Sequence, residues 1–109
     1  MTAERAAAPL ITTDEVLSEY LAFFANATEA LRREAGGIVR DLLESPAVRV
    51  AAQSRESFLS GLALYTARPD KGYSLTDCIS MQTMRREGLS EALTNDRHFE
   101  QEGFRALFR

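Results

Sequence analysis

Three carboxylates, Glu19, Asp77 and Asp96, occupy positions where acidic side chains could do chemistry. Glu19 lies on the flank of an apolar helical stripe, between Val16 and Phe23. Asp77 falls in the first turn of a helix that begins at Ser74, and Asp96 comes just past a short strand, Glu91 to Thr94. In an open parallel sheet, the edge where strands end and helices begin is where ligands bind. These placements let Asp77 and Asp96 approach each other, with Glu19 reaching in along its helix. Carboxylates gathered in this way repel one another, and a divalent cation resolves the conflict. Each acid also has a plain structural reading. Asp77 suits a helix start, Asp96 a turn, and Glu19 an ordinary helix flank.

The remaining composition narrows the chemistry. One Cys and one His in 109 residues exclude an intrachain disulfide, an all-Cys metal site and a site built on several histidines. A metal centre within one chain must then rest mainly on carboxylate oxygens, which suits Mg2+ or Mn2+. Thirteen basic residues against 16 acidic ones leave a net charge of -3, so a uniformly basic nucleic-acid coat is excluded while a local basic patch is not. Apart from Lys71 the cations are arginines, which favour planar, bidentate contacts. The 45% hydrophobic and 27% charged content is that of a globular domain, not of a collagen-like or disordered chain. The apolar run Ala6 to Ile11 is too short for a signal core or a membrane span. The expectation is a cytoplasmic protein with a reduced thiol.

The elements that must position the acids alternate short apolar runs with helical patterns, the mark of an α/β fold with a parallel sheet. A strand is predicted over Pro9 to Thr12, followed by a helix whose start carries a capping-box spacing at Thr12 and Glu15. Val16, Tyr20, Phe23 and Ala27, widened by Leu17, Leu21 and Phe24, give that helix an apolar stripe expected to be mostly core. A second helix runs from Thr28 to Leu43, weakened at Gly36-Gly37 where two short helices could meet. A strand at Val48 to Val50, a helix from Gln53 to Ala67 with Phe58, Leu59, Leu62 and Tyr65 on one face, and a turn at Arg68 to Gly72 come next. The Ser74 helix stops at Gly88, a turn or two of helix spans Arg97 to Glu102 and ends at Gly103, and a terminal strand covers Phe104 to Phe108.

The run Ser74-Leu75-Thr76-Asp77-Cys78-Ile79-Ser80, followed by Glu91-Ala92-Leu93-Thr94-Asn95-Asp96-Arg97-His98-Phe99, resembles the PIN-domain family, which includes the VapC-type toxins. The stretch Ile11 to Glu19 is similar to that family's "T-T-x-x-V-L-x-E" segment. The resemblance implies a PIN-like three-layer sandwich with a mostly parallel sheet, over residues 9–109, after a non-core segment 1–8. It further implies that Glu19, Asp77 and Asp96 are metal ligands for Mg2+ or Mn2+, and that the activity is hydrolysis of RNA phosphodiester bonds. Thr76, Thr94 and Asn95 would support the ligands or a bound water. The chain departs from the family at its start, where the usual acidic first strand has no counterpart, so a domain incomplete at its N-terminus is expected.

A metal-dependent ribonuclease needs no nucleophilic side chain, because a bound cation orients water and neutralises charge growing on the phosphate. The absence of a Ser–His or Cys–His arrangement fits this. The resemblance adds an RNA substrate, a cognate antitoxin and a homodimer as partners, with part of the stripe Tyr20, Leu21, Phe23 and Phe24 as a candidate dimer surface; the short apolar run leaves no membrane among the expected partners. The missing first-strand acid supports a rival, a non-catalytic PIN-like module that binds a protein partner or RNA. The other polar and aromatic residues read more simply. His98 reads as structural, Cys78 as a small core residue, Ser74 as a cap and Tyr73 as packing. Arg85, Arg86, Arg97 and Lys71 read as solvated side chains that could also meet RNA phosphates.

Overall fold

The computed structural model describes residues 10–89, 91–92 and 97–106. The chain divides into two compact units, one ending at Ala52 and the other beginning at Gln53.

The first unit is built on strand β1 (Leu10–Thr13), helix α1 (Asp14–Phe23), helix α2 (Glu29–Glu44) and strand β2 (Val48–Ala51). β1 and β2 pair in parallel, Leu10 opposite Val48 through Thr13 opposite Ala51, with the two helices as the crossover. Strand passes directly into helix because Thr13, not Thr12, is the N-cap. Its backbone is extended, and its hydroxyl accepts the Val16 N–H at 3.1 Å. The expected cap one residue earlier, with Glu15 as its partner, does not form.

Helix α2 is likewise capped by the Thr28 hydroxyl and runs unbroken through Gly36-Gly37. Alternation of apolar and charged residues at helical spacing is strong enough to carry the helix over both glycines, and Ala35 and Val39 anchor it by burial. A Cβ at Gly36 or Gly37 would meet no atom within 4 Å. Alanine at either site therefore removes unfolded-state freedom without a clash. Each substitution should stabilise the protein by about 0.5–1 kcal/mol, read as a higher midpoint in urea.

The stripe on α1 is only partly core, with Val16, Tyr20, Phe24 and Ala27 half-buried. Leu17 is the buried residue of this helix, whereas Phe23 is 84% exposed and Leu21 lies at the surface. Phe24 meets Tyr20 and Phe23 edge to face, with ring centroids 5.3 and 5.4 Å away.

The second unit holds helix α3 (Arg55–Ala67), helix α4 (Leu75–Arg86), strand β3 (Glu91–Ala92), helix α5 (Arg97–Gln101) and strand β4 (Arg105–Ala106). β3 and β4 are parallel, Glu91 opposite Arg105. Among the described residues every strand pairing, β1–β2 and β3–β4, is parallel, as the expected mostly parallel α/β fold requires. Ser54 caps α3 in a reciprocal box with Ser57. The packed side of α3 is Ser57, Gly61 and Leu64, while the apolar face of Phe58, Leu59, Leu62 and Tyr65 is exposed. Gly61 explains the choice. A Cβ there would overlap the Ile79 side chain and lie 3.0 Å from Ile79 backbone atoms, so the absence of a side chain lets α3 and α4 approach closely. Their shared core is Leu64, Tyr73, Cys78, Met81, Met84 and Phe104. Gly88 and Gly103 end α4 and α5 with φ of 76° and 97°, as the sequence predicts.

Candidate metal and RNA site at the start of α4

The start of α4 is fixed by sequence-local chemistry. The Ser74 hydroxyl accepts the Asp77 N–H at 3.0 Å, and Asp77 Oδ2 accepts the Ser74 N–H at 3.1 Å. This reciprocal box satisfies two amides that would otherwise lack partners, and it places a negative group at the positive end of the helix. The structural reading of Asp77 as a capping residue therefore holds. It leaves a half-buried carboxylate, 23% exposed, anchored through one oxygen. Among the described residues no hydrogen bond reaches the other oxygen, Oδ1. A hard carboxylate donor of this kind fits one position in the shell of Mg2+ or Mn2+.

The same Oδ2 lies 3.6 Å from Nδ1 of His98, the second residue of α5. The His98 ring meets Tyr73 edge to face at 5.3 Å. Tyr73 is itself buried, and its hydroxyl donates to Glu102 Oε1 at 3.0 Å. Glu102 is the hub beneath the site. Arg68 grips it in bidentate fashion, Nε to Oε1 and Nη2 to Oε2, both at 2.9 Å. Arg85 Nη2 donates to Oε2 at 3.0 Å and to the Glu102 carbonyl at 2.9 Å, with its guanidinium 5.1 Å from the Phe104 ring centroid.

The electrostatics follow from this wiring. Burial by itself would push the Glu102 carboxyl up, but hydrogen bonds from Arg68, Arg85 and Tyr73 outweigh it and hold the carboxyl below the ordinary glutamate value. Burial first, and then the bond to Glu102, push the Tyr73 phenol up to about 12. Burial, reinforced by the charge of Asp77, raises the Cys78 thiol, which is fully buried and stays neutral as a core residue.

The predicted site residues are distributed as follows. Asp77 stands at the start of α4 in the second unit, and Thr76 is half-buried beside it. Glu19 is an exposed residue of α1 in the first unit. Asp96, Thr94 and Asn95 lie outside the described residues. Among the described residues, no three His, Cys, Asp or Glu side chains gather as a ready-made metal shell. Arg85, read from sequence as a solvated side chain or a phosphate contact, is committed to Glu102. Glu102 itself escapes sequence reasoning. Its one signal is position, three residues after Phe99 and two before Phe104, which puts a charge among apolar neighbours. No helix among the described residues is long and apolar enough to cross a membrane.

Parallel strand pairs joined through helices, with an acidic residue at the head of α4, make this a PIN-like α/β fold. The structure is similar to the crystal structure of Mycobacterium tuberculosis VapC20, a toxin that cleaves the sarcin–ricin loop. The TM-score is 0.74 and the sequences are 25% identical, over 94% of this chain and 80% of that one. No family model matches the sequence, and no curated protein does.

Proposed function

We propose that this protein is a divalent-metal-dependent endoribonuclease, with Mg2+ or Mn2+ as its ion, acting as the toxin of a toxin–antitoxin module. The observation that carries this reading is the contact between Asp77 and His98. It ties the start of α4 to the start of α5, and His98 follows Asp96 by two residues in the chain. The likeness to a sarcin–ricin loop cleaving toxin supports the activity. In this reading Glu19, Asp77 and Asp96 hold the ion, while Thr76, Thr94 and Asn95 steady the carboxylates or a water beside them. The ion, when bound, supplies an activated water and charge neutralisation at the scissile phosphate. The protein's share is to fix the carboxylates in advance, which the Ser74 box already does for Asp77. The exposed apolar side chains of α1, Phe23 and Leu21, are surface that an antitoxin or a second copy would cover.

The test is cleavage of a sarcin–ricin loop RNA oligonucleotide by the full chain. Cleavage should stop in EDTA and return when Mg2+ or Mn2+ is added in excess of chelator. Cleavage that continues unchanged in EDTA, or a protein that neither cuts the RNA with either ion nor binds Mn2+ in calorimetry, overturns the proposal.

A further inference from the structure

We infer that His98 is a positioning residue for Asp77: its Nδ1 edge holds the carboxylate so that Oδ1 is the oxygen offered to the cation. The inference rests on the reading of Asp77 as a metal ligand. A capping carboxylate on a helix start keeps one soft torsion about its terminal bond. Here that torsion is restrained at a single oxygen, by a hydrogen bond from the Ser74 amide at 3.1 Å and by the Nδ1 edge of His98, which packs against the same oxygen at 3.6 Å, a contact longer than a hydrogen bond.

His98 can do this because its own ring is restrained. Tyr73 packs edge to face against it, and Tyr73 is pinned at its hydroxyl by Glu102, which two arginines hold in turn. The loop before α4 completes the seat. Gly72 has φ of 77°, and a Cβ there would come to 3.7 Å from His98 Nε2. A rigid support of this kind orients a ligand more sharply than the ligand's own element can, and losing such a support costs roughly 10–100-fold in metal affinity or activity.

The test compares two substitutions that both fill the ring's place. His98→Asn puts an amide nitrogen near the position of Nδ1, whereas His98→Gln puts it near that of Nε2. Full-length wild type and both variants are assayed for Mn2+ affinity by calorimetry without RNA, for kcat and KM on the sarcin–ricin loop oligonucleotide, and for urea midpoint in metal-free buffer. His98→Gln should bind Mn2+ roughly tenfold or more weakly and lose kcat in proportion, with KM for RNA unchanged. His98→Asn should recover most of both. The inference is overturned if His98→Gln matches wild type, or if both variants lose Mn2+ affinity equally. Losses that only follow the urea midpoint also overturn it, since they mark a role in folding alone. A wild-type chain that neither binds Mn2+ nor cuts RNA is a different failure. It removes the ribonuclease reading itself, and this inference with it.

Discussion

Asp77→Asn is expected to leave the protein folded while lowering RNA cleavage by roughly a hundredfold or more, beyond what loss of a supporting partner costs. The two halves of that result have separate causes. The asparagine side-chain oxygen can still accept the Ser74 N–H, and the Ser74 hydroxyl still accepts the amide of residue 77, so the box that starts α4 survives. What disappears is the formal negative charge, and with it the hard anionic donor that a divalent ion requires. The measurement is initial cleavage rate beside circular dichroism and the urea midpoint of the same preparation. Cleavage within a few-fold of wild type, in a folded variant, removes Asp77 from the metal shell and reduces it to a cap.

The second large effect concerns stability. Glu102→Ala strips the carboxylate from Arg68, Arg85 and the Tyr73 hydroxyl together. Removing one side of a fully buried ion pair costs about 3–5 kcal/mol. The Glu102 side chain is 3% exposed, but both arginines are 40% exposed, so water relieves part of the loss. The expected destabilisation is about 2–3 kcal/mol, at or below the lower end of that range.

The pH dependence has a definite sign. The folded-state carboxyl titrates below its ordinary value of 4.5, so the unfolded chain takes up the proton first as pH falls. The stabilisation is therefore complete above about pH 5 and is lost as pH drops through the folded-state value. Glu102→Gln, which keeps the shape and an acceptor, should flatten this acid limb in urea titrations across that window. An unchanged slope in the variant shows that the acid sensitivity belongs to other carboxylates.

These two acids show how unevenly the sequence can be read. Asp77 is found easily because its partner Ser74 is three residues away, and a capping box is a local pattern. Thr28, the cap of α2, is likewise where the sequence places that helix's start, whereas the Ser54 box of α3 lies inside the span that the sequence assigned to the helix. Glu102 is missed because its partners are far along the chain, Arg85 at a separation of 17 and Arg68 at 34. Periodicity also does not say how deeply an apolar face is buried. The stripe on α1 has the spacing of a core, yet it runs from buried Leu17 through half-buried Val16, Tyr20 and Phe24 to exposed Leu21 and Phe23, and the Phe58–Tyr65 side of α3 is exposed. A helical stripe states that a face is apolar without stating what lies against it.

By itself, then, the sequence determined where helices start, where glycines stop them, that the fold is α/β, and which acid heads α4. The helix starts, to within a residue or two, and the glycine stops follow from interactions within one turn of backbone, and the fold class follows from the alternation of short apolar runs with helical patterns. Only the tertiary structure decided that α3 meets α4 through Gly61, that Glu102 is a buried hub, and that His98 stands beside Asp77. Those facts depend on close packing between segments distant in the chain, where the fit of volumes and the pairing of buried charges select among faces that look equivalent in one dimension.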